Sequence, residues 1–396
     1  MRKDFSVLES LRKEMCEQFG SAVATSTDCN LLAEKIKERT QKAVSPQTLR
    51  RFFGIISSVS QTSNFTLNIL SQYCGFRDFA GFCASLSNQE LEIFFDSEED
   101  PSKNYWRKSE ELCQKISVHP ELLVSIHQKL MGLPLARKYF IENHPMRDML
   151  GTVYSRYFAD YLKYNTTVEA KIFAYGFLFQ SAFLTENYEM MEIYFRKIQE
   201  TQLSAEVHVI PAGMKFGIML LFADFSHNEE LFQNTFSEMK NAREHYIEAS
   251  KKSVCSFEYS VLELLIFTER TAEINFLMDH NTQQSKKDLP YVPQDRKETH
   301  DEVWKILCAS ALQKSGKKKE ALRKLKSIRI EKLGVGWSKY YSIHYYHILL
   351  KINEGTDASE IISKIQTLID ETSFSYFKKE LYETEQQQVS YFAMTS

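Results

Sequence analysis

Along almost the whole chain, hydrophobic residues return every third or fourth position. No segment alternates cleanly over several residues, so the pattern predicts helices and no sheet. In VLESLRKEMCEQF, Val7, Leu8, Leu11, Met15 and Phe19 share one side. LLAEKIKERT, AVSPQTLRRFFG and TLNILSQYCGF follow, and together they predict a compact helical unit over residues 1–90. The acidic stretch DSEEDPSKN carries Pro101 and reads as the end of a linker over 91–104.

From residue 105 onward, helix follows helix. AKIFAYGFLFQSAFL places Phe173, Phe177, Gln180 and Leu184 at helical spacings. After the turn TENY, the residues Met191, Tyr194, Phe195 and Ile198 form a matching stripe. Two such helices with a short turn make a helical hairpin. The layout recurs, with hairpins starting near residues 168, 212, 254, 302 and 339. A hairpin that cannot bury its own apolar face must stack on the next, which predicts an α-solenoid over 105–396. The polar segment DHNTQQSKKDLPYVPQDRKETH, 279–300, holds Pro290 and Pro293 and reads as a long loop or insert.

Composition supports the all-α reading. The 396 residues include 13 Gly and 8 Pro, too few for many tight turns, while 28 Phe and 20 Tyr offer large buried areas. The net charge is −3, so any nucleic-acid surface must be local. Cys16, Cys29, Cys74, Cys83, Cys113, Cys255 and Cys308 are scattered and form no Cys-x-x-Cys pair, which speaks against a disulfide framework or a zinc site. The start MRKDFSVLESLRKEM lacks the apolar core of a secretory signal, and no run of about 18 apolar residues occurs. A cytoplasmic chain with no membrane partner is the expectation.

Motifs of chemistry are weak. His344 and His347 in HYYH have the spacing of two metal ligands on a helix, but no third ligand completes the set. ENHP, 142–145, reads as a cap or turn. SGKKKEALRK lacks the first glycine of a phosphate loop, and GVGW lacks a dinucleotide fingerprint. Neither Gly-x-Ser-x-Gly nor His-Glu-x-x-His occurs. The expectation is a protein that is not an enzyme and uses no cofactor or metal.

The stretch AVSPQTLRRFFG, 43–54, is more informative. Ser45 is a good N-cap and Pro46 a good first helical residue. Leu49, Phe52 and Phe53 face inward, leaving Gln47, Thr48, Arg50 and Arg51 to project outward, and Gly54 ends the helix. Between Cys29 and Gly54, Lys35, Lys37, Arg39, Lys42, Arg50 and Arg51 stand against Glu34 and Glu38, six against two, a local balance of +4.

On these residues the N-terminal unit resembles a lambda-repressor-like helix-turn-helix domain. The resemblance implies that Gln47, Thr48 and Arg51 face bases, that Lys42 and Arg50 meet phosphates, and that a homodimer binds paired half-sites. The chain departs from the family because its Leu-Ala helix runs through Thr40 and QKA intervenes before Val44. Farther on, Trp304, Leu307, Ala311, Gly316, Ala321 and Leu325 resemble one tetratricopeptide repeat, although the strict 34-residue period is absent. Bacterial regulators that couple a repressor-like domain to such repeats are similar in layout. The implied protein binds DNA through its first unit and a peptide, protein or small effector through the array. Tyr175, Phe179, Tyr259 and Tyr346, all on first helices, are the candidate partner-binding wall. The competing reading is a protein-interaction scaffold that binds no nucleic acid.

Overall fold

The computed structural model describes residues 5–57, 62–83, 85, 101–118, 123, 130–131, 134, 137–282, 289, 292–352 and 358–382. Every regular element among them is helical, and none is long and apolar enough to cross a membrane. They fall into two compact units, the first drawn from 1–99 and 115–129, the second from 100–114 and 130–396.

The first unit contains α1 (Phe5–Phe19), α2 (Ser26–Thr40), α3 (Pro46–Phe52) and α4 (Asn64–Tyr73). Local chemistry sets each boundary. Thr25 and Asp28 form a reciprocal capping box at the start of α2. Gln41 closes α2 in the left-handed region at φ 57°, its N–H donating to the Lys37 carbonyl. Ser45 accepts from the Thr48 N–H at 3.1 Å, and Pro46 opens α3. Gly54, at φ +73°, turns the chain away. Leu11, Met15, Leu32, Ile36, Leu49, Phe52, Leu67 and Leu70 meet in one core. Arg12 adds a tie, donating to the Phe52 carbonyl at 2.7 Å with its guanidinium over the Phe52 ring.

α5 (Pro101–Val118), whose residues up to 114 belong to the second unit, begins inside the stretch expected to be a linker. Pro101 has no N–H to lose at a first helical position, so it starts this helix rather than breaking the chain. Residues 91–100 lie outside the described residues. A short α6 (Arg156–Tyr161) precedes a run of hairpins. These pair α7 (Val168–Leu184) with α8 (Tyr188–Glu200), α9 (Val209–Phe225) with α10 (Glu229–Lys251), and α11 (Phe257–Leu265) with α12 (Thr271–Asp279). Two more pair α13 (Gln294–Lys314) with α14 (Lys318–Leu325), and α15 (Ser338–Ile352) with α16 (Ala358–Thr372).

Each first helix packs on the first helix of the next hairpin. A helix packed on both sides buries more of itself: α9 buries 13 of its 17 residues, whereas α8 buries only Met191, Phe195 and Ile198. Glycines set the closeness. A Cβ on Gly213 of α9 would lie 2.6 Å from the Phe257 carbonyl oxygen and 2.7 Å from the Ser260 Cβ of α11.

The polar segment 279–300 needs correction. Residues 294–300 form the first two turns of α13, following Pro293 as N-cap. They resemble a loop in sequence because their buried positions are Arg296, Lys297, Thr299 and His300. Of the rest of that segment, 283–288 and 290–291 lie outside the described residues.

Residues 143–155 join no hairpin. They run as two 3₁₀ turns, Arg147–Met149 and Val153–Ser155, across the first helices, and most are buried. Ser181 of α7 donates to the Leu150 carbonyl at 2.6 Å. Arg296 of α13 donates to the Asn143 carbonyl at 2.8 Å, and Asp148 accepts from the Tyr340 N–H of α15 at 2.8 Å. Glu263 of α11 holds Arg147 in a two-pronged ion pair of 2.8 and 3.0 Å.

Candidate functional site

Two places merit attention, one in each unit. In the first, α3 has two unlike sides. Leu49 and Phe52 are buried against α2 and the core, while Gln47 and Arg51 are exposed and Thr48 is half-buried. The connection from α2 to α3 is the five-residue turn 41–45. Thr48 shares a hydrogen bond of 2.8 Å with the Ser45 hydroxyl. Lys42 is exposed and donates to Gln72 at 3.1 Å. Arg50 is half-buried, like Thr48, and donates to Asn30 of α2 at 3.1 Å. The helical period alone put Arg50 and Arg51 together, but α2 lies beside one of them and solvent beside the other.

In the second unit, the first helices and the segment 143–147 help line a cavity of about 580 Å³. Phe173, Phe177 and Met214 form an apolar wall from α7 and α9. Tyr259 and Glu263 come from α11, Arg296 and His300 from α13, and Trp337 from just before α15. The Arg147 and Arg296 guanidiniums lie 4.4 and 4.6 Å from the Trp337 ring centroid, a distance at which a cation is attracted to an indole. Trp337 is fixed by its own N–H, which donates to the Pro145 carbonyl at 2.7 Å. Gly336, at φ +78°, presents its carbonyl to the Asp148 N–H at 2.8 Å. Cys255 Sγ lies 3.1 Å from His300 Nδ1.

The wall's carboxylates already have donors. Glu263 accepts both prongs of Arg147 and the Tyr341 hydroxyl. Glu142 accepts from Tyr161 and Asn165, and Glu169 accepts from the His208 N–H at 2.7 Å. By contrast, Arg147 Nη1 is buried with no hydrogen-bond acceptor among the described residues.

Burial dominates the electrostatics here. It works against the Arg147 charge, but Glu263 beside it more than compensates and raises the pKa. Burial lowers the Arg296 pKa and pushes the Tyr259 and Tyr341 hydroxyls well above their ordinary range. His144 is forced down to about 3 by burial and by Arg296, and Asp148 is pushed up to about 6 by burial.

The residues expected to form a ligand wall are dispersed. Phe179 is fully buried and stacks on Phe183, 6.5 Å between centroids, so it is core. Tyr175 and Tyr346 are half-buried. Of the four, Tyr259 lines the cavity, its ring stacked on Trp304 at 5.7 Å. His344 and His347 are both buried. Among the described residues, no cluster of three metal-ligating side chains occurs. Sequence reasoning missed Arg147, Glu263, Arg296 and Trp337. ENHPMRDM carried one signal, charged residues inside a short stretch with no helical period. No family model, curated protein or solved structure matches the chain, so the reading that follows rests on geometry and residue chemistry.

Proposed function

We propose that the chain is a DNA-binding regulator: α3 of the first unit enters the major groove, and the hairpin array holds an effector. The observation that carries the reading is the division of α3. Leu49 and Phe52 anchor it, while Gln47, Thr48 and Arg51 are left at its outer side. These side-chain types match base edges, Arg with guanine and Gln with adenine. Lys42 beside the turn is placed for a phosphate. On this reading the resemblance to a helix-turn-helix unit, and of the array to degenerate tetratricopeptide-like repeats, is one of function as well as of pattern. The interaction-scaffold reading gains from Arg50 and Lys42, which already have partners in Asn30 and Gln72.

The test is a titration of the full chain against mixed-sequence duplex DNA at two salt concentrations. Binding should weaken steeply with salt. Arg51→Ala should weaken it further and reduce the slope of log affinity against log salt by about 0.9 if Arg51 meets a phosphate. If it meets a base, the slope should hold and discrimination at one base pair should fall by about 1–3 kcal/mol. Absent binding by the wild-type chain would overturn the DNA reading and favour the scaffold.

A further inference from the structure

We propose that the array cavity is a receptor site for a small organic acid, its anionic head on Arg147 and its flat or apolar body against Phe177, Met214 and Trp337. The proposal deepens the effector-holding half of the reading above and does not depend on the DNA contact.

Size comes first. The face that stacked first helices would offer a peptide is crossed by the chain's own residues 143–150, which take main-chain and side-chain bonds from α7, α11, α13 and α15. What remains is about 580 Å³, inside the range of roughly 300–1,000 Å³ typical of small-molecule pockets. That volume suits a ligand with a ring system or a short chain and excludes a folded partner.

Charge comes second. Glu142, Glu169 and Glu263 each accept from donors within the protein, so a cationic ligand would have to displace them. The spare capacity is a donor: Arg147 is 5% exposed, its Nε and Nη2 are spent on Glu263, and Nη1 has no acceptor among the described residues. A buried donor without an acceptor costs stability, and a ligand that supplies one recovers it. A carboxylate, sulfonate or similar head is the acceptor that a guanidinium N–H binds most strongly. Arg296, on the same indole, donates Nη2 to the Asn143 carbonyl. Phe173, Phe177 and Met214 offer an apolar wall to the rest of the molecule.

The experiment uses the full-length chain and two fluorescent probes of one shape class. One is anionic, 8-anilinonaphthalene-1-sulfonate; the other is its uncharged counterpart, N-phenyl-1-naphthylamine. The wild-type chain should bind the anionic probe saturably at one site and more tightly than the neutral one. Arg147→Lys keeps a cation for Glu263 but loses the forked donor. It should weaken the anionic probe about ten- to hundred-fold and the neutral probe less than about two-fold. Ile210, half-buried, also lines the cavity; Ile210→Trp fills it without touching the ion pair and should remove both probes while leaving the thermal melt unchanged. Should Arg147→Lys fail to fold, Ile210→Trp together with the two-probe comparison in the wild type still decides the matter. Absent saturable binding, equal affinity for the two probes in the wild type, or anionic-probe binding that survives Ile210→Trp overturns the proposal. DNA binding measured on the same Ile210→Trp protein separates the two ideas: its persistence while the probes are lost supports the cavity assignment and leaves the DNA reading standing by itself.

Discussion

Replacing Arg147 by methionine should be among the most destabilising single changes in the second unit. The side chains of Arg147 and Glu263 are 6% and 8% exposed, their two hydrogen bonds span 116 residues of sequence, and the Tyr341 hydroxyl donates to the same carboxylate. Removing one partner strands the other charge in the interior, at about 3–5 kcal/mol. Glu263→Leu alone should cost a similar amount. The double variant should cost much less than the sum, because apolar groups of like volume replace a buried pair almost neutrally. A residue of about 1–3 kcal/mol should persist, since the buried Tyr341 hydroxyl would lose its acceptor. Urea unfolding of the four full-length proteins, followed by far-ultraviolet circular dichroism and tryptophan fluorescence, closes the cycle and yields a coupling of several kcal/mol. A cost under about 1 kcal/mol for Arg147→Met, the value of an exposed pair, would refute the argument, as would simple additivity. Either result would mean that residues 143–150 are not held inside the array in solution.

Three further outcomes are expected. Gly213→Ala should destabilise by about 1–3 kcal/mol, because the new methyl would press on the Phe257 carbonyl and Ser260; a gain of about 0.5–1 kcal/mol in urea melts, the usual helix benefit, would show that α9 and α11 do not cross so closely. Leu49→Ala should cost the first unit about 2–5 kcal/mol, whereas Arg51→Ala should change its stability by less than about 0.5 kcal/mol; hydrogen exchange across α2 and α3 reads both, and similar losses for the two would contradict the two-sided helix. Stability should fall as pH drops: His144 and His344 stay neutral in the folded chain down to about 3 but take up protons near 6.5 when unfolded, so the unfolded chain binds more protons in between. Each contributes up to about 1.4 kcal/mol per pH unit well below 6.5, while Asp148, raised to about 6, opposes them above its ordinary value of 3.8. Glu110, raised to about 7 by burial and by Asp295, opposes them too, so the check is made by variant: a His344→Gln protein whose change in melting temperature from pH 7 to pH 5 equals that of the wild type would count against the His344 burial.

The sequence by itself determined what depends on neighbours a few positions away. Helical periodicity placed the hairpins: one expected near 168 begins at Val168, and one expected near 339 begins at Ser338. Capping chemistry is equally local, which is why Ser45, Pro46 and Gly54 mark the limits of α3 in sequence as in structure. The cavity lay beyond that reach. Part of its wall is made of polar residues in stretches that local rules assign to loops, ENHPMRDM and QDRKETH, because such residues belong inside only when distant partners neutralise them. Those partners are Glu263, 116 residues after Arg147, and the Trp337–Tyr340 region, 192 residues from Pro145 and Asp148. Arg50 shows the same limit on a smaller scale: its period matched an exposed helix face, and only the packing of α2 brought Asn30, 20 residues earlier, within its reach. Periodicity reports which side of a helix is apolar; the tertiary structure alone decided which polar side chains find buried partners, since that requires chain segments far apart in sequence to meet.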